Sequence, residues 1–236
     1  MQTHSKSGFS LVELSVVLII IGLIAGGIVA GQSLIRNAEI SSVIGELAEY
    51  SQASDTFYAK YGQLAGDMSD ASSYWPSCDP TPANCDGNGD GAIDDTLPWV
   101  HLSSANLVAG SYPIIAATPV PGVDIPESSI KNAVFGLTYG FPYGKLGNHF
   151  TLSKSRSDSS LEGAVNASEA LSIDKKIDDG LASYGEVFAI NQMNTSGTWQ
   201  TTGCVTGGDL LSAPAVIDWQ LSNEDTEECV MVFYID

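Results

Sequence analysis

A chain of 236 residues with 44% apolar side chains is long enough for one ordinary domain and an appendage. Nine Lys and Arg against 28 Asp and Glu give a formal net charge of −19, which repels phosphate backbones and excludes nucleic-acid binding through bulk charge. All four cysteines lie beyond the N-terminal apolar run, an even number that suits two disulfides in an oxidising compartment.

The first element is that apolar run. From Phe9 to Gly31 the only charged residue is Glu13. At about 1.5 Å rise per residue, a helix of this length crosses a hydrocarbon core of about 30 Å. The preceding segment, MQTHSKSG, carries Lys6 and no acid, so the positive-inside rule keeps the N-terminus in the cytoplasm and sends everything after Gly31 to the outer side. A secretory signal has a shorter apolar core followed by a small-residue cleavage site, so the run reads as a span. A carboxylate at the centre of a span costs roughly 2.5–3.5 kcal/mol, less near the interface where Glu13 falls, and it asks for a partner.

Beyond Gly31 the helical pattern continues. Leu34, Ile35, Val43, Leu47, Tyr50, Phe57, Tyr58 and Tyr61 recur at three- and four-residue steps, with Arg36, Glu39, Glu46, Glu49 and Asp55 largely between them. This predicts one long helix over 9–61, with 9–31 as the span and an amphipathic second half that packs on a head. Gly62 is a natural stop.

The head, residues 62–236, alternates short apolar stretches with Gly, Pro, Asn and Ser. NAVFGLTYGF (132–141) and HFTLS (149–153) read as neighbouring strands joined by a turn at Pro142-Tyr143-Gly144, and CVMVFYID (229–236) as a final strand. A helix is expected from about Ser168 to Ile177, capped by Asn166 with Glu169 three residues on, and with Gly180 after its end. IDKKIDDG (173–180) reads as a solvated charged turn. The fold class expected is α+β, a long N-terminal helix packed on a globular head with an antiparallel sheet and long loops.

CDGNGDGAIDD (85–95) carries the densest chemistry. Asp86, Asn88 and Asp90 alternate as oxygen ligands, Gly91 allows a sharp turn, Ala92 offers a carbonyl, and Asp94 follows two residues later. These are the first, third, fifth, sixth, seventh and ninth places of a calcium loop, with Ile93 at the buried apolar place. The twelfth place, normally a bidentate Glu, is Leu97, so Asp95 or a residue from elsewhere has to complete the shell. The flanks read as strand and loop, giving a calcium loop without an EF-hand fold. An Asx-rich turn explains the same residues without an ion. Of the three possible cysteine connectivities, proximity favours Cys78 with Cys85 and Cys204 with Cys229.

No nucleophile–base motif, zinc spacing or phosphate loop appears, and His101 and His149 read as surface histidines, so catalysis is not expected. Trp75, Trp99 and Trp199 mark either a binding face or core packing.

GFSLVEL, Gly8 to Leu14, heading an apolar helix with Gly22, resembles the N-terminal signature of type IV pilins and pseudopilins. The resemblance is strong over about the first 55 residues and holds only in outline beyond. It implies a cytoplasmic leader, residues 1–8, removed after Gly8 by a prepilin peptidase that also methylates the new N-terminus at Phe9. It implies that Glu13 neutralises the N-terminal amine of a neighbouring subunit during filament assembly, and that Cys204–Cys229 corresponds to a C-terminal disulfide loop. Many family members carry a proline late in the helix, where this chain has Ile28-Val29-Ala30-Gly31. The implied function is a structural filament subunit, with a type II secretion pseudopilin or a minor tip pilin with an adhesive head as alternatives. The implied partners are like subunits, the peptidase, an inner-membrane assembly platform and membrane lipid. The implied location is the inner membrane with the head in the periplasm, then an extracellular filament or periplasmic pseudopilus.

Overall fold

A computed structural model of the protein describes residues 10–114, 119–140, 145–154, 162–192, 203–206, 218–221 and 226–235. The fold is α+β. Helix α1, Leu11–Tyr61, runs without a break through Gly22, Gly26, Gly27 and Gly31. Its end falls where Gly62 turns the backbone to φ +70°, a conformation that favours glycine. The chain divides into two compact units, one up to Ser41 and one from Ser42 onward.

In the first unit, the apolar residues of α1 lie open. Leu11 is 86% exposed and Leu23 73%, and the same holds for Val16, Leu18, Ile19, Ile20 and Ile24. No amphipathic stripe is present because the residues are apolar all round, the pattern of a segment that water does not cover in its working state.

The second unit holds the last five turns of α1, the sheet and the loops. Its main sheet has four antiparallel strands in the order β1-β2-β6-β3. These are β1 (Ala133–Gly140), β2 (Gly147–Lys154), β3 (Val187–Asn191) and β6 (Cys229–Tyr234). The register sets Phe135 opposite Leu152, Phe150 opposite Phe233, and Ala189 opposite Met231. β4 (Val205–Thr206) and β5 (Asp218–Trp219) form a separate short pair. Two short helices, α2 (Ala71–Tyr74) and α3 (Pro98–Ser104), and a 3₁₀ turn at Pro82–Cys85 lie ahead of the sheet.

The core is an aromatic seam. Tyr50 of α1 meets Trp99 edge-on at 5.0 Å and Phe135 at 5.3 Å, and Trp99 lies 6.4 Å from Phe150. Phe57, a helical turn pair further on, stacks on His101 at 5.9 Å. Val43, Tyr50, Ala53 and Phe57 are therefore the buried stripe, whereas Leu34, Ile35 and Tyr58 of the expected stripe are exposed. Trp99 is fully buried and belongs to the core, and Trp75 is half-buried against Phe57 and Tyr61. Trp199 and the expected turn at Pro142–Gly144 lie outside the described residues.

Helix α4, Ala167–Ile177, starts with a full capping box: Glu169 N–H donates to Asn166 Oδ1 at 3.0 Å and Asn166 N–H to Glu169 Oε2 at 3.0 Å. The disulfides join Cys78 to Cys85 and Cys204 to Cys229. Asn191, buried at the end of β3, fixes the second disulfide's entry by accepting from the N–H groups of Cys204 and Val205 at 2.7 and 2.9 Å. Asn166→Ala is expected to lower unfolding free energy by about 1 kcal/mol, the ordinary worth of an N-cap, measured by urea denaturation of the detergent-solubilised chain.

Candidate functional site

Two places carry the sequence-predicted functions: the start of α1 and the acidic loop in the head. Gly8 and Phe9 lie outside the described residues. From Ser10 onward the start of the helix is defined. Ser10 carbonyl accepts from Leu14 N–H at 3.2 Å, and its hydroxyl accepts from Val12 N–H at 3.3 Å. Glu13 reaches back, and its Oε2 accepts from Ser10 N–H at 2.8 Å. Ser10-Leu11-Val12-Glu13 is thus an S-x-x-E start signal, in which the carboxylate satisfies a backbone donor and sits at the positive end of the helix dipole. Sequence reasoning singled out Glu13 and missed Ser10, although the three-residue spacing was there to read.

The acidic loop is held from outside its own motif. Asp67, only 4% exposed, lies where three loop amides converge. Gly89 and Asp90 N–H donate to its Oδ1 at 2.8 and 3.1 Å, and Gly91 N–H to its Oδ2 at 2.8 Å. Asp86 takes the N–H and the hydroxyl of Ser72 on its two oxygens, at 2.7 and 2.8 Å. Asn88 accepts from Asp90 N–H at 2.8 Å and Asp90 from Ala92 N–H at 2.9 Å, two successive Asx turns. Asn148 on β2 clips the far side, accepting from Ile93 N–H and donating to Gly91 carbonyl, both at 3.0 Å. Asp94 lies within the field of Asp67, Asp90 and Asp95, and its carboxyl is held above the usual carboxylate range, chiefly by burial and then by those charges. Gly87 is required where it stands, since a Cβ there would lie 2.5 Å from the Asp67 carbonyl carbon.

The residues proposed for calcium are thereby brought into one loop, with oxygens of Asp86, Asn88 and Asp90 engaged by protein donors. Among the described residues, the carboxylates with oxygens mutually within 4.8 Å are Asp174, Asp178 and Asp179, which belong to another loop. The loop's flanks also differ from expectation. A 3₁₀ turn precedes it and α3 follows it, because Pro82 and Pro98 each supply the fixed φ of a first helical position. A cleft of about 490 Å³ opens beside the loop, lined in part by Tyr58, Gln63, Asp67 and Asn148, and among the described residues no histidine, cysteine or lysine lines it.

His101 and His149, expected on the surface, are buried. His101 is a structural bridge: Gly66 N–H donates to its Nδ1 at 2.8 Å, and its Nε2 lies 2.7 Å from Cys85 carbonyl, so Nε2 carries the proton. Burial lowers its pKa, against weaker opposing effects of the Cys85 carbonyl, Asp86 and Asp67. Burial lowers that of His149 as well.

The comparison with known families bears on the first of the two places. Residues 3–29 match the profile of the prokaryotic N-terminal methylation motif. The chain carries the type IV prepilin signature. That signature spans the start of α1, so Ser10 and Glu13 lie inside it, and it marks a precursor of pilus-like filament proteins that a dedicated peptidase processes. With an exposed apolar helix long enough to cross a membrane, it is consistent with a membrane-anchored precursor. No curated protein and no solved structure matches the chain.

A histidine buried neutral destabilises the fold once it has to charge. The unfolded chain binds the proton near pH 6.5 and the folded chain only below that, so His101 removes stability as pH falls through about 6.5. The stability of the wild type relative to His101→Gln is expected to decline between pH 7.5 and 5.5, read from paired denaturant titrations. A constant difference would mean that folding leaves the pKa of His101 unshifted.

Proposed function

We propose that the protein is a structural subunit of a type IV pilus-like filament. In this reading it is made as a membrane-anchored prepilin, cleaved after Gly8, N-methylated at Phe9 and assembled through its N-terminal helix. The observation that carries the reading is the methylation motif at the head of a helix whose apolar side chains are open all round. An uncovered apolar cylinder is stable only in lipid or among like helices, and the motif supports a path from the first to the second. Glu13 then has two settings. In the single chain it accepts the Ser10 amide, and in a filament it is available to the amine that cleavage creates at Phe9 of a neighbour. A buried carboxylate and a buried amine are costly alone and tolerable together, so pairing favours one register between subunits.

The head serves as an exported, disulfide-bonded body with no catalytic task. Its buried histidines are committed to backbone groups, and Asp67 and Asp86 accept from backbone amides. Prepilin peptidase, like subunits, an assembly platform and lipid are the partners of this reading, with the inner membrane first and the periplasm or cell exterior afterwards as its location.

The decisive experiment is intact mass, without reductant, on sheared surface filaments and on the membrane fraction. A methylated species starting at Phe9 and abundant in sheared filaments is the expected result. The same species confined to the membrane would replace this reading with a type II secretion pseudopilin, and a trace among filaments with a minor tip pilin. An uncleaved species alone would overturn the processing claim. Gly8→Ser is expected to leave only precursor. Glu13→Ala is expected to insert into the membrane at wild-type level and to yield few filaments, scored by blotting both fractions.

A further inference from the structure

The segment IDKKIDDG, expected to be a solvated turn, is partly interior. It closes α4 and leads through 178–186 into β3. Asp174, in the last turn of α4, is fully buried, and Asp178 is the residue that caps the helix. One oxygen from each of Asp174, Asp178 and Asp179 lies within 4.8 Å of the other two.

Each carboxylate is anchored through one oxygen. Asp174 Oδ1 accepts from Gly180 N–H at 3.1 Å, and Asp179 Oδ1 from Leu181 N–H at 2.7 Å. Asp178 Oδ2 accepts from Glu186 and Val187 N–H at 2.6 and 3.1 Å. The second oxygen of each takes no hydrogen bond from a described residue, and at Asp174 that oxygen, Oδ2, is buried without any partner. An orphaned acceptor in a fully buried side chain is destabilising, since it has given up water without gaining a partner. Three carboxylates at a helix C-terminus add mutual repulsion and the negative end of the dipole. Among the described residues no Lys or Arg is within ion-pairing distance of the three, although Lys175 and Lys176 are on the same helix.

We propose that Asp174, Asp178 and Asp179 form a calcium site that ties the end of α4 to the loop entering β3. A hard divalent cation answers the demands of the cluster: it cancels the repulsion, complements the helix end and offers a partner to the orphaned Asp174 Oδ2. Two oxygens on one calcium ion lie at most about 4.6–5.2 Å apart, so oxygens within 4.8 Å of one another are near enough to share one. Protonation of Asp174 is the alternative way to relieve the charge. Burial, with Asp179 and Asp178 adding to it and Gly180 N–H opposing, pushes its carboxyl up to about 7. A proton would relieve Asp174 alone, whereas a cation engages all three carboxylates. Gly185 is part of the construction, because a Cβ there would lie 1.8 Å from Asp178 Oδ2. Trp219 stands beside the site, its Nε1–H donating to Gly180 carbonyl at 3.0 Å.

The test is terbium luminescence and thermal unfolding of the full-length, detergent-solubilised protein after chelator treatment. Terbium emission excited through tryptophan, displaced by calcium, and a rise in Tm with millimolar calcium are expected. Asp179→Asn, at an exposed position, and Asp174→Asn are each expected to weaken terbium and calcium binding at least about tenfold while leaving the Tm in chelator undiminished. Trp219→Phe is expected to dim the emission without changing affinity. No calcium response in the wild type would overturn the proposal. A response unchanged in Asp179→Asn and Asp174→Asn but lost in Asp90→Ala would also overturn it, placing the ion in the 86–94 loop instead.

Discussion

A carboxylate at the mouth of an uncovered apolar helix sets the terms for the rest of the chain. In water Glu13 is satisfied cheaply: one oxygen accepts the Ser10 amide and the other faces solvent. Moving the same turn into lipid or between packed helices removes the water but leaves the charge, and the capping amide answers only part of it. A positive group becomes most valuable at that moment. The apolar surface of α1 raises the same demand on a larger scale, since its side chains are exposed from Leu11 to Ile28. In the filament proposed above, like helices that bring an amine would meet both demands together.

The head shows a second use of acidic residues. A net charge of −19 suggests a surface dense with solvated carboxylates. Much of that charge is instead working as hydrogen-bond acceptor for irregular backbone. Asp67 gathers three amides, Asp178 two, Glu46 the amide of Ser129 and the hydroxyls of Ser128 and Ser129, and Glu169 the cap of α4. Long loops leave donors without ladder partners, and a carboxylate is the strongest acceptor available to satisfy several at once. The four-stranded sheet and the aromatic seam of Tyr50, Trp99, Phe135 and Phe150 supply the core, while the acids fix the loops on it.

The longer helices and three of the four main-sheet strands were legible in the sequence, whereas β3 at Val187–Asn191 and the surroundings of these elements were not. The long helix, the strands at 133–140, 147–154 and 229–234, and the capped helix at 167–177 follow from periodicity and from Asn166-x-x-Glu169, because those signals are local. Helix α3 was missed: its seven residues are too few to show a period, and Pro98 signals a helix start as readily as a break. The two histidines were misplaced because burial depends on which segments return to cover them. Gly66 and Cys85 embrace His101 from 35 and 16 residues away. Asp67 escaped notice for the same reason, lying 22 residues ahead of Gly89.

The two acidic loops show what a spacing pattern can report. Short polar side chains two residues apart suit a calcium ion, and they equally suit consecutive Asx turns, since both need an oxygen poised over the backbone two residues on. In 86–94 the oxygens of Asp86 and Asp67 all carry hydrogen bonds, and Asn88 and Asp90 serve their own turns. In 174–179, where no familiar pattern exists, a buried oxygen is left over. The spare acceptor is the more informative sign, because a folded chain rarely leaves one in its interior without a group to meet it.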